Sequence, residues 1–237
     1  MPRLTRHDGA RWALPPVLAL VVLWQVDPGR AVAQIAADDL AARRQARMER
    51  ELILGNARIE AGQPSLAIAH FEDARRAQPS APEPYAALGR TLLDLGRRAD
   101  AIAALETGRI RSPDDEALLL ILSQALEANN QARQALALLR GAARRHPRRW
   151  ATQARRADVA QAVGAFTEAV DAYAAVLDLA STGADVPHAE RQRAEDTLAA
   201  LSLLLDGAHP RTGHCAPSTS SASRETDRWR LALAVCH

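Results

Sequence analysis

The chain has 237 residues, enough for one or two ordinary domains, and 48% of them are hydrophobic although aromatics make up only 3%. Alanine and leucine therefore supply the apolar surface, and both are good helix formers, which favours packed helices over a sheet. Every basic residue is arginine; residues 1–33 hold four of them against two aspartates, so totals of 30 and 28 leave 26 basic and 26 acidic residues beyond that segment, a neutral balance that argues against a general nucleic-acid binder.

The N-terminus reads as a leader. Arg3, Arg6 and Arg11 form a basic start, and Ala13 to Val26 is an apolar run broken by Pro15, Pro16 and Gln25. Ala31 and Ala33 then make an A-x-A site, with cleavage expected after Ala33. The alternative is an uncleaved membrane anchor. Against it, the run falls short of the roughly 20 residues that span a bilayer. The expectation is thus a cleaved signal peptide over 1–33, no stable transmembrane span after cleavage, and an exported chain whose expected compartment is the periplasm.

After the leader, residues 34–47 are rich in Ala, Arg and Asp without Gly or Pro. They predict a helical extension, with Asp38 or Asp39 available to cap its start. From Met48 to Gly183 a register of 34 residues takes over. Pro79, Pro113 and Pro147 keep that spacing, as do Gly62, Gly96, Asn130 and Gly164. So do Ala67, Ala101, Ala135 and Ala169, and the row Phe71, Leu105, Leu139 and Tyr173. Several rows on one period mark a repeat array. The repeats are 48–81, 82–115, 116–149 and 150–183, each predicting two helices joined at the glycine, which Asn130 replaces in the third. In the first, Leu66, Ala67, Ala69, Phe71 and Ala74 are buried candidates of the second helix. Proline disfavours helix at the residue before it, which ends each second helix. The fourth repeat is less regular: Arg156 stands where the others have Leu54, Leu88 and Leu122, and no proline closes it.

These residues resemble the tetratricopeptide repeat (TPR) family. The pattern is a large residue at repeat position 4, Leu and a small residue at 7 and 8, Ala at 20, an aromatic or Leu at 24, Ala or Gly at 27 and Pro at 32; it covers 136 of the 237 residues. The resemblance implies an all-α fold, a right-handed α-solenoid of stacked antiparallel helix pairs, with a concave groove lined by the first helix of each repeat. It also implies a groove row at position 9: Asn56, Arg90, Gln124 and Asp158. That row is read either as a binding surface or as an ordinary solvated face. Some members clamp a C-terminal carboxylate with basic residues at positions 2 and 5 and Asn at 9. Here only Asn56 fits, since position 5 is Leu52, Ala86, Leu120 and Ala154, and the clamp is argued against.

A second candidate surface is the stretch from Ala128 to Ala157, which has no acidic residue and eight arginines. They are Arg133, Arg140, Arg144, Arg145, Arg148, Arg149, Arg155 and Arg156. Guanidinium pairs well with carboxylate and phosphate. An acidic protein surface or an anionic glycan would suit this edge; a solvated helix end is the plain alternative.

Residues 184–206 predict a capping helix over the last repeat, with Ala194, Leu198, Leu201 and Leu205 as its apolar stripe. Residues 207–237 turn to Gly, Pro, Ser and Thr and read as a loop-rich tail. Cys215 and Cys236 are the two cysteines. In an oxidising compartment they would pair. That disulfide would close a loop of about 22 residues, worth roughly 3 kcal/mol. Metal binding with His209, His214 and His237, or a free tail, are the alternatives, and the spacing matches no standard zinc pattern.

No phosphate loop, nucleophile triad, metal-ligand spacing or cofactor fingerprint occurs, so no catalytic residue, metal or cofactor is assigned. The expected function is an exported scaffold that binds a protein partner through the groove or the arginine edge. Analogy with exported relatives of the family suggests envelope assembly or polysaccharide export as its setting. Direct binding of an anionic glycan by residues 133–156 is the alternative.

Overall fold

A computed structural model of the protein describes residues 28–208. The leader before Pro28, and the tail with Cys215, Cys236 and its histidines, lie outside the described residues. Among the described residues there are only helices and turns: α1 (Pro28–Glu60), α2 (Pro64–Ala77), α3 (Glu83–Asp94), α4 (Arg98–Arg111), α5 (Glu116–Ala128), α6 (Ala132–Arg145), α7 (Trp150–Ala162), α8 (Phe166–Ser181) and α9 (His188–Ala208). Each helix packs on the next in sequence, joined by short turns, which makes successive helices antiparallel neighbours. The first helices of adjacent repeats also touch: α1 meets α3, α3 meets α5, and α5 meets α7. Among the described residues no contact of similar extent links the second helices, so the stack curves with its first helices inside. This is an all-α, TPR-like solenoid.

Local chemistry explains the turns. Gly62, Gly96, Asn130 and Gly164 all have positive φ, between 61° and 78°. At Gly96 the amide bonds to Leu93 O at 2.9 Å, and the Arg97 amide reaches back to Leu92 O at 2.8 Å. That pair of bonds closes the end of α3 and repeats at every turn inside a helix pair. Each second helix stops two residues before its proline: Ala77 before Pro79, Arg111 before Pro113, Arg145 before Pro147. The large residue at position 4 then pins the next helix to that turn. Tyr85 Oη donates to Pro79 O at 2.9 Å, and Gln153 Nε2 donates to Pro147 O at 3.1 Å.

Tertiary packing explains the core. Ala67, Ala101, Ala135 and Ala169 are each 0% exposed, because this row sits where two helices cross. At position 8 the approach is closer still. A Cβ on Gly89 would lie 2.5 Å from Leu105 Cγ, so α3 and α4 meet through a bare backbone. Leu66 and Ala69, expected inside, are exposed. Their register mates Asp100, Gln134 and Glu168, and Ala103, Ala137 and Asp171, show that these positions turn outward.

The two ends of the stack differ from its middle. Pro84, Tyr85, Thr91 and Leu92 are buried, and so are their register mates in the third and fourth repeats. In the first repeat those positions are Arg50, Glu51, Ala57 and Arg58, of which all but Glu51 are exposed. Leu54 is likewise 41% exposed where Leu88 and Leu122 are buried. These positions face the preceding helix pair, and the first repeat carries a polar face there, as a terminal repeat requires. At the other end α9 lays Ala194, Leu198 and Leu201 on the fourth repeat, with Leu205 half-buried beside them.

The helical extension starts earlier than expected. α1 already runs through Pro28, the first described residue, ahead of the expected cleavage point. Asp38 and Asp39 therefore do not cap it. They lie within the helix, where Gln34 Nε2 donates to Asp38 at 2.9 Å and Arg43 pairs with Asp39 at 2.7 Å. No helix among the described residues is long and apolar enough to cross a membrane.

Candidate functional site: the concave face

The inner face is built from the first helix of each repeat. A depression of about 330 Å³ lies between the first three repeats, lined by Leu52, Asn56, Glu83, Ala86, Ala87 and Arg90 among others. Asn56 and Arg90 face it because positions 5 and 9 of neighbouring inner helices lie side by side. Asn56, Arg90 and Gln124 are exposed, and none has a hydrogen-bond or ion-pair partner among the described residues. Three members of the position 9 row are therefore open to a ligand.

Asp158, the fourth member, is not. It is half-buried, accepts from Tyr173 Oη at 2.8 Å and pairs with Arg193 of α9 at 3.3 Å. Burial pushes the Tyr173 hydroxyl well above its usual range, and the bond to Asp158 pushes it further. The cap thus closes the fourth repeat's part of the row. Beside it, Arg155 pairs with Glu127 and donates through Nε to Ser123 Oγ at 2.9 Å. Burial lowers the pKa of this guanidinium, and Asp158 nearby opposes that shift. The concave face is open over three repeats and filled by an ion network next to α9.

The arginine edge divides in the same way. Arg140 grips Glu168 of α8 with a forked contact, Nε lying 2.8 Å and 3.0 Å from the two carboxylate oxygens. That bond holds the Glu168 carboxyl below its usual range and raises Arg140. Asp114, on the turn before α5, gathers three partners from the next repeat. His146 Nε2 lies 2.8 Å from its carboxylate, Arg145 Nε 3.6 Å, and Arg149 Nη1 donates to its carbonyl at 2.6 Å. The bond to His146 leads the lowering of the Asp114 pKa. Arg140, Arg145, Arg149 and Arg155 are thus ties between repeats rather than free cations. Arg156 is half-buried, and its Nε is buried without a hydrogen-bond partner. Arg133, Arg144 and Arg148 stay exposed and unpaired among the described residues.

Sequence reasoning does not single out Asp114, Glu168 or the Tyr173–Asp158–Arg193 contact, yet a signal for them exists. The residues tied across a repeat boundary stand 28 to 35 apart in the chain, close to the repeat length. Opposite charges about one register apart therefore mark pairs between stacked repeats. Among the described residues no group of three or more His, Cys, Asp and Glu could hold a metal ion.

Comparison with known proteins agrees with this architecture. A family model described as a tetratricopeptide repeat matches residues 58–126. Among solved structures, a thermophilic TPR protein of Thermus thermophilus is 27% identical, with a TM-score of 0.50 over 67% of this chain and 82% of that one. MamA 41-end from Desulfovibrio magneticus RS-1 shares the fold at 16% identity, with a TM-score of 0.54 over 68% of this chain and 86% of that one. No curated protein sequence matches the chain. The register, the stacked helix pairs and these likenesses together support a TPR-like repeat protein, with the tetratricopeptide repeat match itself lying at residues 58–126.

Proposed function

We propose that the protein is an exported scaffold that holds a partner protein in the open part of its concave face. The observation that carries this reading is the free row of Asn56, Arg90 and Gln124 above a depression spanning three repeats. A preformed surface binds at a lower ordering cost, which suits a docking platform. The test is recovery of partners from a cell-envelope fraction by the full chain and by a triple Asn56→Ala, Arg90→Ala, Gln124→Ala variant. Loss of partners is expected; unaltered recovery overturns the groove reading.

Export rests on the basic, apolar and A-x-A order of residues 1–33. N-terminal sequencing of the cellular protein is expected to begin at Gln34, and a chain still starting at Met1 overturns cleavage. An envelope-assembly or polysaccharide-export setting follows by analogy and is tested by the identity of the captured partners. If the tail pairs Cys215 with Cys236, non-reducing mass spectrometry finds no free thiol; two free thiols end that expectation.

A second reading, glycan binding by the arginine edge, keeps Arg133, Arg144 and Arg148 as its cations. It predicts polyuronate binding at low salt that fades as salt rises. Absence of binding at low salt rejects it.

A further inference from the structure

The open part of the concave face has a composition that points to the chemistry of its ligand. Residues three and four positions apart share a helix face. Ile53, Ile59 and Glu60 thus flank Asn56, while Ala86, Ala87, Leu93 and Asp94 flank Arg90. Ile53 is 68% exposed and Ile59 37% exposed, large apolar side chains on a face that no helix covers. Glu60, Glu83 and Asp94 are exposed, and none has an ion-pair or hydrogen-bond partner among the described residues. Arg50 and Arg58 belong to the N-terminal end of the stack, on a different side of α1, which leaves Arg90 to face these carboxylates.

We infer that this part of the groove takes a cationic amphipathic protein segment. Its apolar side chains rest on Leu52, Ile53 and Ile59, and its basic side chains lie among Glu60, Glu83 and Asp94. The inference rests on the groove reading above and adds the nature of the ligand. Apolar anchors supply affinity, and complementary charge sets the register and speeds encounter. An acidic segment would meet unpaired carboxylates, and that repulsion excludes it. The steering expected from sequence is therefore reversed here. The arginines expected to draw an acidic partner lie outside this open part of the face, and four of them are tied between repeats.

Two labelled amphipathic peptides, each about four helical turns long, provide the probe. One combines leucine with arginine, the other leucine with glutamate. Fluorescence anisotropy with the full chain is expected to show binding of the arginine peptide alone, weakening as salt is added. A Glu60→Gln, Glu83→Gln, Asp94→Asn variant is expected to bind it about tenfold more weakly. Ile53→Ser is expected to lose about as much through apolar contact. Arg148→Gln, outside the groove, leaves binding unchanged. All exchanged positions are exposed, and unchanged circular dichroism confirms folding. Equal binding of the glutamate peptide, full affinity in the carboxylate variant, or no binding of either peptide overturns the cationic ligand. Asn56→Trp separates the two claims, because it fills the depression. If the arginine peptide still binds that variant unchanged, its site is elsewhere and the groove reading fails as well. If Asn56→Trp blocks a glutamate peptide that does bind, the groove stands and the charge assignment falls.

Discussion

Alanine at Gly89 and at Gly141 should move stability in opposite directions. Both glycines lie inside helices, so each exchange gains about 1 kcal/mol of helix propensity. At Gly141 the added methyl meets only Arg145 Nη1, at 3.8 Å, an ordinary contact with a flexible side chain. Gly141→Ala should therefore stabilise by about 0.5–1 kcal/mol. At Gly89 the new Cβ would lie 2.5, 2.6 and 2.8 Å from Leu105 Cγ, Cδ2 and Cδ1. Carbon atoms sit comfortably about 3.5–4 Å apart, so the shortfall is about 1 Å. Leu105 is 0% exposed and has no free space to enter. Overpacking of this kind costs roughly 1–3 kcal/mol, which exceeds the propensity gain and leaves a net loss of about 1 kcal/mol. Leu105→Ala alone should cost about 3 kcal/mol by leaving a cavity. In the double variant the methyl introduced by Gly89→Ala occupies part of that space, so the double should lose about 1–2 kcal/mol less than the sum. Urea unfolding followed by circular dichroism measures all four members of the cycle. For a chain this size each kcal/mol also moves Tm by about 2–4 °C. If Gly89→Ala stabilises as much as Gly141→Ala, α3 and α4 are not in contact there, and the reason given for glycine at position 8 is wrong.

Three further outcomes follow from the same structure. Asn130 stands at φ 61° where its register mates are glycine; Asn130→Gly should stabilise by about 0.5 kcal/mol and Asn130→Val should destabilise by about 1–2 kcal/mol, and equal stability of the two variants would remove backbone strain from the account. Glu168 has its carboxyl held below the ordinary value of 4.5 by Arg140. A folded-state value below the unfolded one means stability present above the ordinary carboxylate range and lost as pH falls through the folded value. Arg140→Gln should therefore flatten the fall in urea midpoint between about pH 5 and 3, and parallel slopes would show that the pair contributes nothing. Phe71→Ala should cost about 3–5 kcal/mol, because Phe71 is 1% exposed, whereas Leu66→Ala, at 53% exposure, should stay within about 0.5 kcal/mol.

What the amino-acid sequence determined alone is the part set by short-range physics. Positive φ at Gly62, Gly96, Asn130 and Gly164 and the stops before Pro79, Pro113 and Pro147 depend on neighbours within a turn or two; the rows at Ala67 and Phe71 are legible as a recurring small and a recurring large apolar position, although their burial comes from helices that cross. A period of 34 residues then exposes them, since each repeat solves the same packing problem with the same residue types. Expectations of this kind fail in two places, at Leu66 with Ala69 and at Asp38 with Asp39, both at an edge of that logic. Leu66 has the apolar character of a core residue, yet its position is exposed in each of the first three repeats. Asp38 has the side chain of a helix cap, yet it lies inside a helix that already runs from Pro28, with its carboxylate accepting from Gln34 one turn earlier.

What only the tertiary structure decided is which polar side chains remain available. Asn56, Arg90, Gln124 and Asp158 share one register position, and nothing local separates them. Asp158 alone meets a capping helix, whose Arg193 stands 35 residues further along the chain. Arg140 and Arg148 look alike in an arginine-rich stretch, but Arg140 faces Glu168 across a repeat boundary and Arg148 faces solvent. A charge is free or tied according to what the stacked neighbour presents, and the stack is made by contacts far apart in the chain. That is why the 34-residue register was enough to define a solenoid with a groove, while the open, acid-flanked part of that groove emerged only once the helices were in place.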